Sequence, residues 1–241
     1  MKRLLILGLI ALVLTSCVIH VGSEPEPRLK YYNEALLYQL CDITELKVST
    51  NTAEVELEGW SENIIEIVVG YREAETDDGI IYIEDGAIKA RSASGKNVEI
   101  TKVKGKIPRS LSLDISNATG NVDISNLNKA RQIDISIGSG NFSLPNCSVN
   151  TANIEIGSGN ASLRNSMVTS LDLEAGSGNV TLTNSMVDDI DIEVGSGNVT
   201  LKDCVLSYGS VTTGSGNIIL QNTTGDRVRY VVGSGEVIYL D

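Results

Sequence analysis

Residues 171–182 read Leu-Asp-Leu-Glu-Ala-Gly-Ser-Gly-Asn-Val-Thr-Leu, and this stretch decides the fold. Its Gly-Ser-Gly-Asn centre begins at Gly176 and recurs every 19 residues along the chain. The other copies begin at Gly138, Gly157, Gly195 and Gly214, and Gly-Ser-Gly-Glu begins at Gly233. A fixed short period indicates stacked structural units, each too small to bury its own apolar face.

Apolar residues alternate on both sides of this turn, which indicates strands with one buried face. Leu171 and Leu173 precede the turn at odd positions, whereas Val180 and Leu182 follow it at even positions. We therefore place a corner at the Gly-Ser-Gly-Asn turn, with a third short side after a second corner. The second corner falls at Asn146, Asn165, Asn184, Asp203 and Asn222.

These patterns predict an all-β fold, a parallel β-solenoid (β-helix) with 19-residue coils, right-handed by the usual crossover preference. The chain has 23 glycines but a single Phe and a single Trp, so Ile, Val and Leu must fill the core. Coils stacked about 4.7 to 4.9 Å apart bring equivalent side chains into line. We expect the turn asparagines to form a structural amide ladder. They are Asn141, Asn160, Asn179, Asn198 and Asn217.

At the N-terminus, two basic residues precede an apolar run from Leu4 to Leu14 that is too short to cross a bilayer. The following Leu14-Thr15-Ser16-Cys17 resembles the lipobox of bacterial lipoproteins. This resemblance implies a signal peptide over 1–16 and a lipidated Cys17 that anchors the exported chain to the cell membrane, facing the extracellular space or the periplasm. Residues 17–30 then form a flexible tether. An ordinary signal peptide with an incidental Cys17 is the alternative.

Residues 31–110 are less regular than the solenoid that we expect over 111–241. We predict that this region extends the same solenoid with imperfect coils; a separate N-terminal β domain is the alternative. Tyr31 to Leu40 is predicted to be a short amphipathic helix that caps the open end of the stack. Strands are predicted around Val48, Val55 to Leu57, Ile64 to Val69, Ile80 to Ile83 and Val98 to Ile100.

The segment from Lys47 to Trp60, followed by Ile64 to Val69 and the Gly-Ser-Gly-Asn coils, resembles the putative adhesin family of surface-exposed bacterial and archaeal proteins. This resemblance covers most of the mature chain. It implies a β-solenoid at the cell surface, and the family has no catalytic motif to carry over. We therefore expect an adhesin or a surface-binding or structural module without a cofactor.

The charge of the chain narrows the choice of partners. Without residues 1–16, 17 basic and 31 acidic side chains remain, a formal net charge of −14. Such a surface repels phosphates, so nucleic acid and anionic lipid headgroups are poor partners. A glycan or a protein, bound by a flat acidic β face, fits better.

Histidine and cysteine chemistry is limited by position. The single histidine, His20, lies in the tether, so no Ser-His-Asp or Cys-His arrangement can form in the solenoid. Cys147 and Cys204 occupy equivalent positions three coils apart, about 14 Å at the coil spacing. This is too far for a disulfide, so we predict free, buried thiols. Cys41 has no predictable partner.

Carboxylates recur on the outward side of the strand before the turn, at Asp134, Glu155, Asp172, Glu174, Asp191 and Glu193. The last four could hold Ca²⁺ between two coils, although a solvated acidic face is the simpler interpretation. The rival function is a carbohydrate-active β-helix enzyme, a polysaccharide lyase or hydrolase, which needs carboxylates and a basic residue on one face. Arg164 and Lys202 project from the other strand, so we expect no catalysis.

Overall fold

The computed structural model of this protein describes residues 13–15, 31–40, 42–73, 79–92, 95 and 97–240. The described residues form strands and turns without a helix. None of them therefore belongs to a helix long and apolar enough to cross a membrane. The predicted export signal and tether, with Cys17 and His20, lie outside the described residues apart from Val13–Thr15.

The described strands fall into an N-terminal group and a regular array. The N-terminal group is β1 (Val13–Thr15), β2 (Tyr31–Leu40), β3 (Glu45–Thr52), β4 (Glu54–Trp60), β5 (Ile64–Glu73), β6 (Gly79–Glu84), β7 (Ala87–Ser92) and β8 (Val98–Pro108). The array is β9 (Ser112–Thr119), β10 (Val122–Ser125), β11 (Ala130–Ser139), β12 (Phe142–Pro145), β13 (Ser148–Ser158), β14 (Ala161–Arg164), β15 (Met167–Ser177), β16 (Val180–Thr183), β17 (Met186–Ser196), β18 (Val199–Lys202), β19 (Val205–Ser215), β20 (Ile218–Gln221), β21 (Arg227–Ser234) and β22 (Val237–Leu240).

The array confirms the predicted β-solenoid. Its strands alternate between two parallel sheets, the longer strands β9 to β21 in one and the short strands β10 to β22 in the other. Leu173 pairs with Ile154 in the coil before it and with Ile192 in the coil after it, a step of 19 residues each way. The first step is one residue longer, since Leu113 pairs with Ile133.

The Gly-Ser-Gly-Asn turn is the first corner of each coil. Its second glycine has a positive φ, +132° at Gly178, which an L side chain rarely adopts. A Cβ at Gly178 would also overlap the carbonyl oxygen of Gly159 in the preceding coil. Gly178 instead donates its N–H to the carbonyl of Ser196 at 2.9 Å. Glycine is therefore required by both the backbone conformation and the close stacking of coils.

The second corner lies where the sequence places it, at residues that adopt the left-handed conformation. Asn165, Asn184 and Asp203 have φ of 52°, 50° and 53°, values that Asn and Asp tolerate better than most residues. The predicted third side is present as a bend rather than a separate strand. The inward side moves from Val187 to Ile190, a step of three residues within the single strand β17.

The core lies between the two sheets and consists of the predicted inward columns. In the coil formed by β15 and β16, Leu171, Leu173, Val180 and Leu182 are each at most 1% exposed. Phe142 is the one Phe in the chain and is equally buried. The last coil, β21 and β22, covers only part of its own apolar residues, and Tyr239 there is exposed.

The N-terminal strands extend the same two sheets. β3 pairs in parallel with β9 and β4 with β10, so β3 and β4 form a first coil. Leu46 pairs with Leu113, a step of 67 residues, so the chain between β4 and β9 is an insertion. It closes this end of the solenoid. In the sheet of short strands, β8 pairs with β4, and β5 runs antiparallel to β8. In the sheet of long strands, the hairpin of β6 and β7 turns at Asp85 and Gly86, and β7 pairs with β3.

The helix predicted over Tyr31 to Leu40 is wrong, whereas the five predicted strands are confirmed. The segment is β2, and all ten of its residues pair antiparallel with β5. A ten-residue helix is marginal on its own, so pairing along a whole strand edge outweighs the local preference. β2 occupies the predicted capping position as a strand. β1 pairs with β2 and lies within the predicted signal peptide, whose removal would leave β2 as the outer strand.

Replacing Gly178 by Ala tests the close stacking at the first corner. We expect Gly178→Ala to lower the free energy of unfolding by about 2 to 4 kcal/mol, because it adds backbone strain and a clash with the coil beneath. Urea denaturation followed by circular dichroism measures the change. The neighbouring Ser177→Ala is the matched control and should stay within about 0.5 kcal/mol of wild type. Equal stability of the two variants would contradict this account of the corner.

Candidate functional site

Two asparagine columns run along the solenoid, and the first lies at the Gly-Ser-Gly-Asn corner. Asn160 donates from Nδ2 to Oδ1 of Asn141 at 3.0 Å, and the same oxygen accepts the backbone N–H of Asn160 at 3.0 Å. The pattern repeats up to the backbone N–H of Glu236, which donates to Asn217 at 3.0 Å. These side chains are engaged in holding coils together. They leave little capacity for a ligand.

The acidic rows lie on the outer face of the sheet of long strands, in direct register. Asp172 pairs with Asp191 and Glu174 with Glu193, and all four are exposed. Asp134 accepts hydrogen bonds from Gln132 at 2.8 Å and Asn153 at 2.6 Å, and Asp191 accepts one from Ser210 at 2.8 Å. In the described part of the chain, no three His, Cys, Asp or Glu side chains are placed to hold one metal ion. We therefore propose no calcium site.

The two cations that the sequence analysis considered, Arg164 and Lys202, do not join these carboxylates. Arg164 ends β14 and Lys202 ends β18, and both strands belong to the sheet of short strands. The acidic rows belong to the other sheet. An acid and a base for glycoside or uronate chemistry must converge on one substrate bond, and these residues do not converge.

The two described cysteines are free and buried, as predicted. Cys147 donates weakly from Sγ to the carbonyl of Pro145 at 3.3 Å and accepts the N–H of Leu127 at 3.4 Å. Burial raises the pKa of the Cys147 thiol from its usual 9.0 to about 11, and it raises the pKa of Cys204 in the same direction. Both thiols are therefore protonated and unreactive in the folded protein near neutral pH. Cys41 lies outside the described residues.

A depression of about 580 Å³ follows the second corner across five coils, and we call it the corner groove. It forms because the left-handed residue at each corner turns its side chain outward while the next residue points into the solenoid. Its polar wall is Asn146, Asn165, Asn184 and Asp203, its floor is Cys147, Ser166 and Ser185, and its apolar wall is Met167, Met186 and Val205.

The polar wall is a second amide ladder with a break. Asn165 donates from Nδ2 to Oδ1 of Asn146 at 3.0 Å, and Asn184 donates to Asn165 at 2.8 Å. The ladder stops at Asp203 because a carboxylate has no N–H to donate to Asn184. Beyond the break it resumes, since Asn222 donates to Asp203 at 3.1 Å.

The apolar wall is a row of large side chains left open to solvent. Met167, Met186 and Val205 are 55%, 46% and 49% exposed, and they stand in adjacent coils in direct register. The floor between the walls is closed: Ser166 donates from Oγ to the carbonyl of Leu144 at 2.8 Å. An aligned row of exposed apolar residues beside polar groups is typical of a binding surface.

Sequence reasoning singled out the acidic face and missed the corner groove. The signal was present, because apolar residues recur at an outward position, directly before the inward Val168, Val187 and Leu206. The column is not uniformly apolar in the sequence, because Ser148 occupies the position that pairs with Met167. The groove itself, which needs the corner to recede between two walls, has no sequence signature.

A family model matches residues 43–238, which include both asparagine columns, the acidic rows and the corner groove. The chain belongs to the Toastrack DUF4097 family. The family resemblance that the sequence indicated is thereby confirmed. The Toastrack sequence matches no curated protein.

Solved structures resemble this Toastrack chain at low identity. One is a putative lipid binding protein from Parabacteroides distasonis, with 14% identity and a TM-score of 0.51, covering 88% of this chain and 97% of that one. Another is a putative adhesin from Parabacteroides merdae, with 12% identity and a TM-score of 0.42, covering 88% and 96%. At such identity the first likeness shows the shared fold alone.

Replacing Cys147 by Ser tests the burial of the thiol in this Toastrack core. The folded thiol binds its proton more tightly than the unfolded one, so its contribution to stability is complete below about pH 9 and is lost as the pH rises to about 11. Ser occupies the equivalent position in the next two coils, so Cys147→Ser should fold. We expect its free energy of unfolding to fall less than that of wild type between pH 9 and 11.

Urea denaturation at several pH values measures this difference, and comparing the two proteins cancels the other groups that titrate in the same range. Parallel pH profiles would show that Cys147 is not the buried acid described above.

Proposed function

We propose that this protein is a non-enzymatic cell-surface module that is exported as a lipoprotein and lipidated at Cys17. Its solenoid binds a partner at the cell envelope. The observation that carries the proposal is the corner groove, where a polar and an apolar wall share one depression of about 580 Å³. The binding surface of the module is thus a row of contacts repeated from coil to coil. The module is attached to the membrane through the N-terminal tether.

Regular stacking supports binding over catalysis. Several outward rows repeat similar groups over two or more coils at about 4.8 Å, which suits an extended partner. Catalysis needs different groups converging on one bond. Among the described residues, the carboxylate rows and the cations Arg164 and Lys202 belong to different sheets, which is why we do not propose a carbohydrate-active enzyme.

The anchor is inferred from the lipobox-like Leu14-Thr15-Ser16-Cys17. Acyl chains hold by burying methylene groups at about 0.8 kcal/mol each, and stable attachment takes two signals. The tether then separates the solenoid from the bilayer. The names of the Parabacteroides structures, one lipid binding and one adhesin, are compatible with a role at the envelope.

The acidic face plays a different part in this proposal. Like charges stacked in register repel one another and are most stable when solvated. With a net charge of −14 on the mature chain, this face keeps the solenoid from anionic envelope components and from its own copies. A partner is therefore expected to bind at the corner groove and not at the acidic face.

Replacing Cys17 by Ser tests the anchor. We expect the wild-type chain to fractionate with membranes and Cys17→Ser to appear in the soluble fraction, because the lipid is lost while the solenoid is unchanged. Fractionation followed by immunoblotting and intact-mass analysis measures both properties. An unmodified, membrane-free wild-type protein would refute lipidation.

The soluble Cys17→Ser protein also tests binding. We expect saturable binding to isolated cell envelopes, measured by pelleting with fluorescently labelled protein. Asp172→Asn/Glu174→Gln on the acidic face should leave this binding intact. Failure of the labelled protein to pellet above the level of an unrelated protein of equal charge would remove the support for a binding module.

A further inference from the structure

The polar wall of the corner groove has hydrogen-bonding capacity that the fold leaves unused. Asn146 accepts from Asn165, but among the described residues its own Nδ2 has no partner. At the other end, Asn184 donates to Asn165, and its Oδ1 receives no hydrogen bond from the described chain because Asp203 stands next in the column. The wall therefore offers donors at one end and acceptors at the other.

The interior of the groove is uncharged. Its charged lining residues are Arg109 and Asp203, which lie at opposite ends of the groove. Between them the ligand would meet amides on one side and thioethers on the other. Such a surface matches a ligand with hydroxyl groups along one edge and C–H groups along the other.

We propose that the corner groove binds an extended, uncharged glycan that runs along the stacking axis. The proposal rests on the proposed binding function and names its ligand class. Ring hydroxyls donate to Asn184 and Asp203 and accept from Asn146, while the C–H faces of successive sugar rings pack on Met167, Met186 and Val205. The repeat of the groove is set by the coil spacing, so one kind of contact recurs along the polymer.

The groove is unsuited to the other extended ligands. A peptide strand binds by pairing with free backbone groups, but at this corner those groups already join coils. Asn165 donates its N–H to the carbonyl of Thr183 at 3.0 Å, and Met167 donates to Cys147 at 2.8 Å. An acyl chain would cover the amides without giving them partners. A polyanion would meet Asp203 and the net negative charge.

Isothermal titration calorimetry on the soluble Cys17→Ser protein tests the proposal with two probes, the hexasaccharides of β-1,4-linked glucose and of β-1,4-linked N-acetylglucosamine. We expect at least one of them to bind. Met167→Ser/Met186→Ser should raise its Kd about tenfold or more by removing the apolar wall. The substituted residues match Ser148 in the same column, so the solenoid should tolerate them. Asn146→Asp, which copies Asp203 at the same corner position, should weaken binding comparably by removing the amide donor that the fold leaves unused.

Asp172→Asn/Glu174→Gln is the matched control outside the groove and should leave the Kd unchanged. Circular dichroism melting establishes that each variant is folded. The proposal is overturned when neither hexasaccharide binds, when the groove variants bind as wild type does, or when neutral phosphatidylcholine vesicles, rather than glycans, bind in a manner that depends on Met167 and Met186. Envelope binding that persists without hexasaccharide binding would overturn the glycan alone, whereas loss of both would also remove the proposed function.

Discussion

Hydrogen bonding between the backbones of successive coils is the constraint on which the rest of this structure depends. Parallel strands in both sheets pair at a constant step, so a residue and its counterpart 19 positions later stand directly over one another. A single residue choice thereby becomes a column. Most inward columns are apolar, and outward columns become rows whose chemistry is repeated or interrupted coil by coil.

Two corners make this stacking possible, and each uses a different solution. At the first, the carbonyl of the coil beneath comes so close that only a glycine with positive φ fits, as at Gly159 and Gly178. At the second, asparagine adopts the left-handed conformation and uses its side chain to bind the next coil. Because every coil repeats both corners, strain or a lost amide at one level is transmitted to its neighbours. The same second corner recedes between its flanking columns, and so creates the groove.

Residues inside the repeat could be predicted well because their requirements are local. The alternation around Leu171 and Leu173 identifies the buried face, and the recurrence of Cys147 and Cys204 at one offset places them too far apart to bond. Tyr31 to Leu40 was predicted wrongly, because its ten residues form a strand only where the edge of β5 is available. The sequence shows that Asp203 replaces asparagine in this column. It does not show that the amide ladder breaks there, because the break depends on Asn184 lying next to Asp203 in the adjacent coil.

The sequence by itself determined the solenoid, its period, its two corners and its core, because a 19-residue pattern repeated six times states the same local preferences again and again. Tertiary structure alone decided how the N-terminal end is closed and where a ligand could lie. The closure is made by inserted strands that pair with no periodic signal, and the groove is a shape produced by side chains from five separate coils. Neither can be predicted from any one segment of the sequence, since both depend on surfaces that exist only after the coils have stacked.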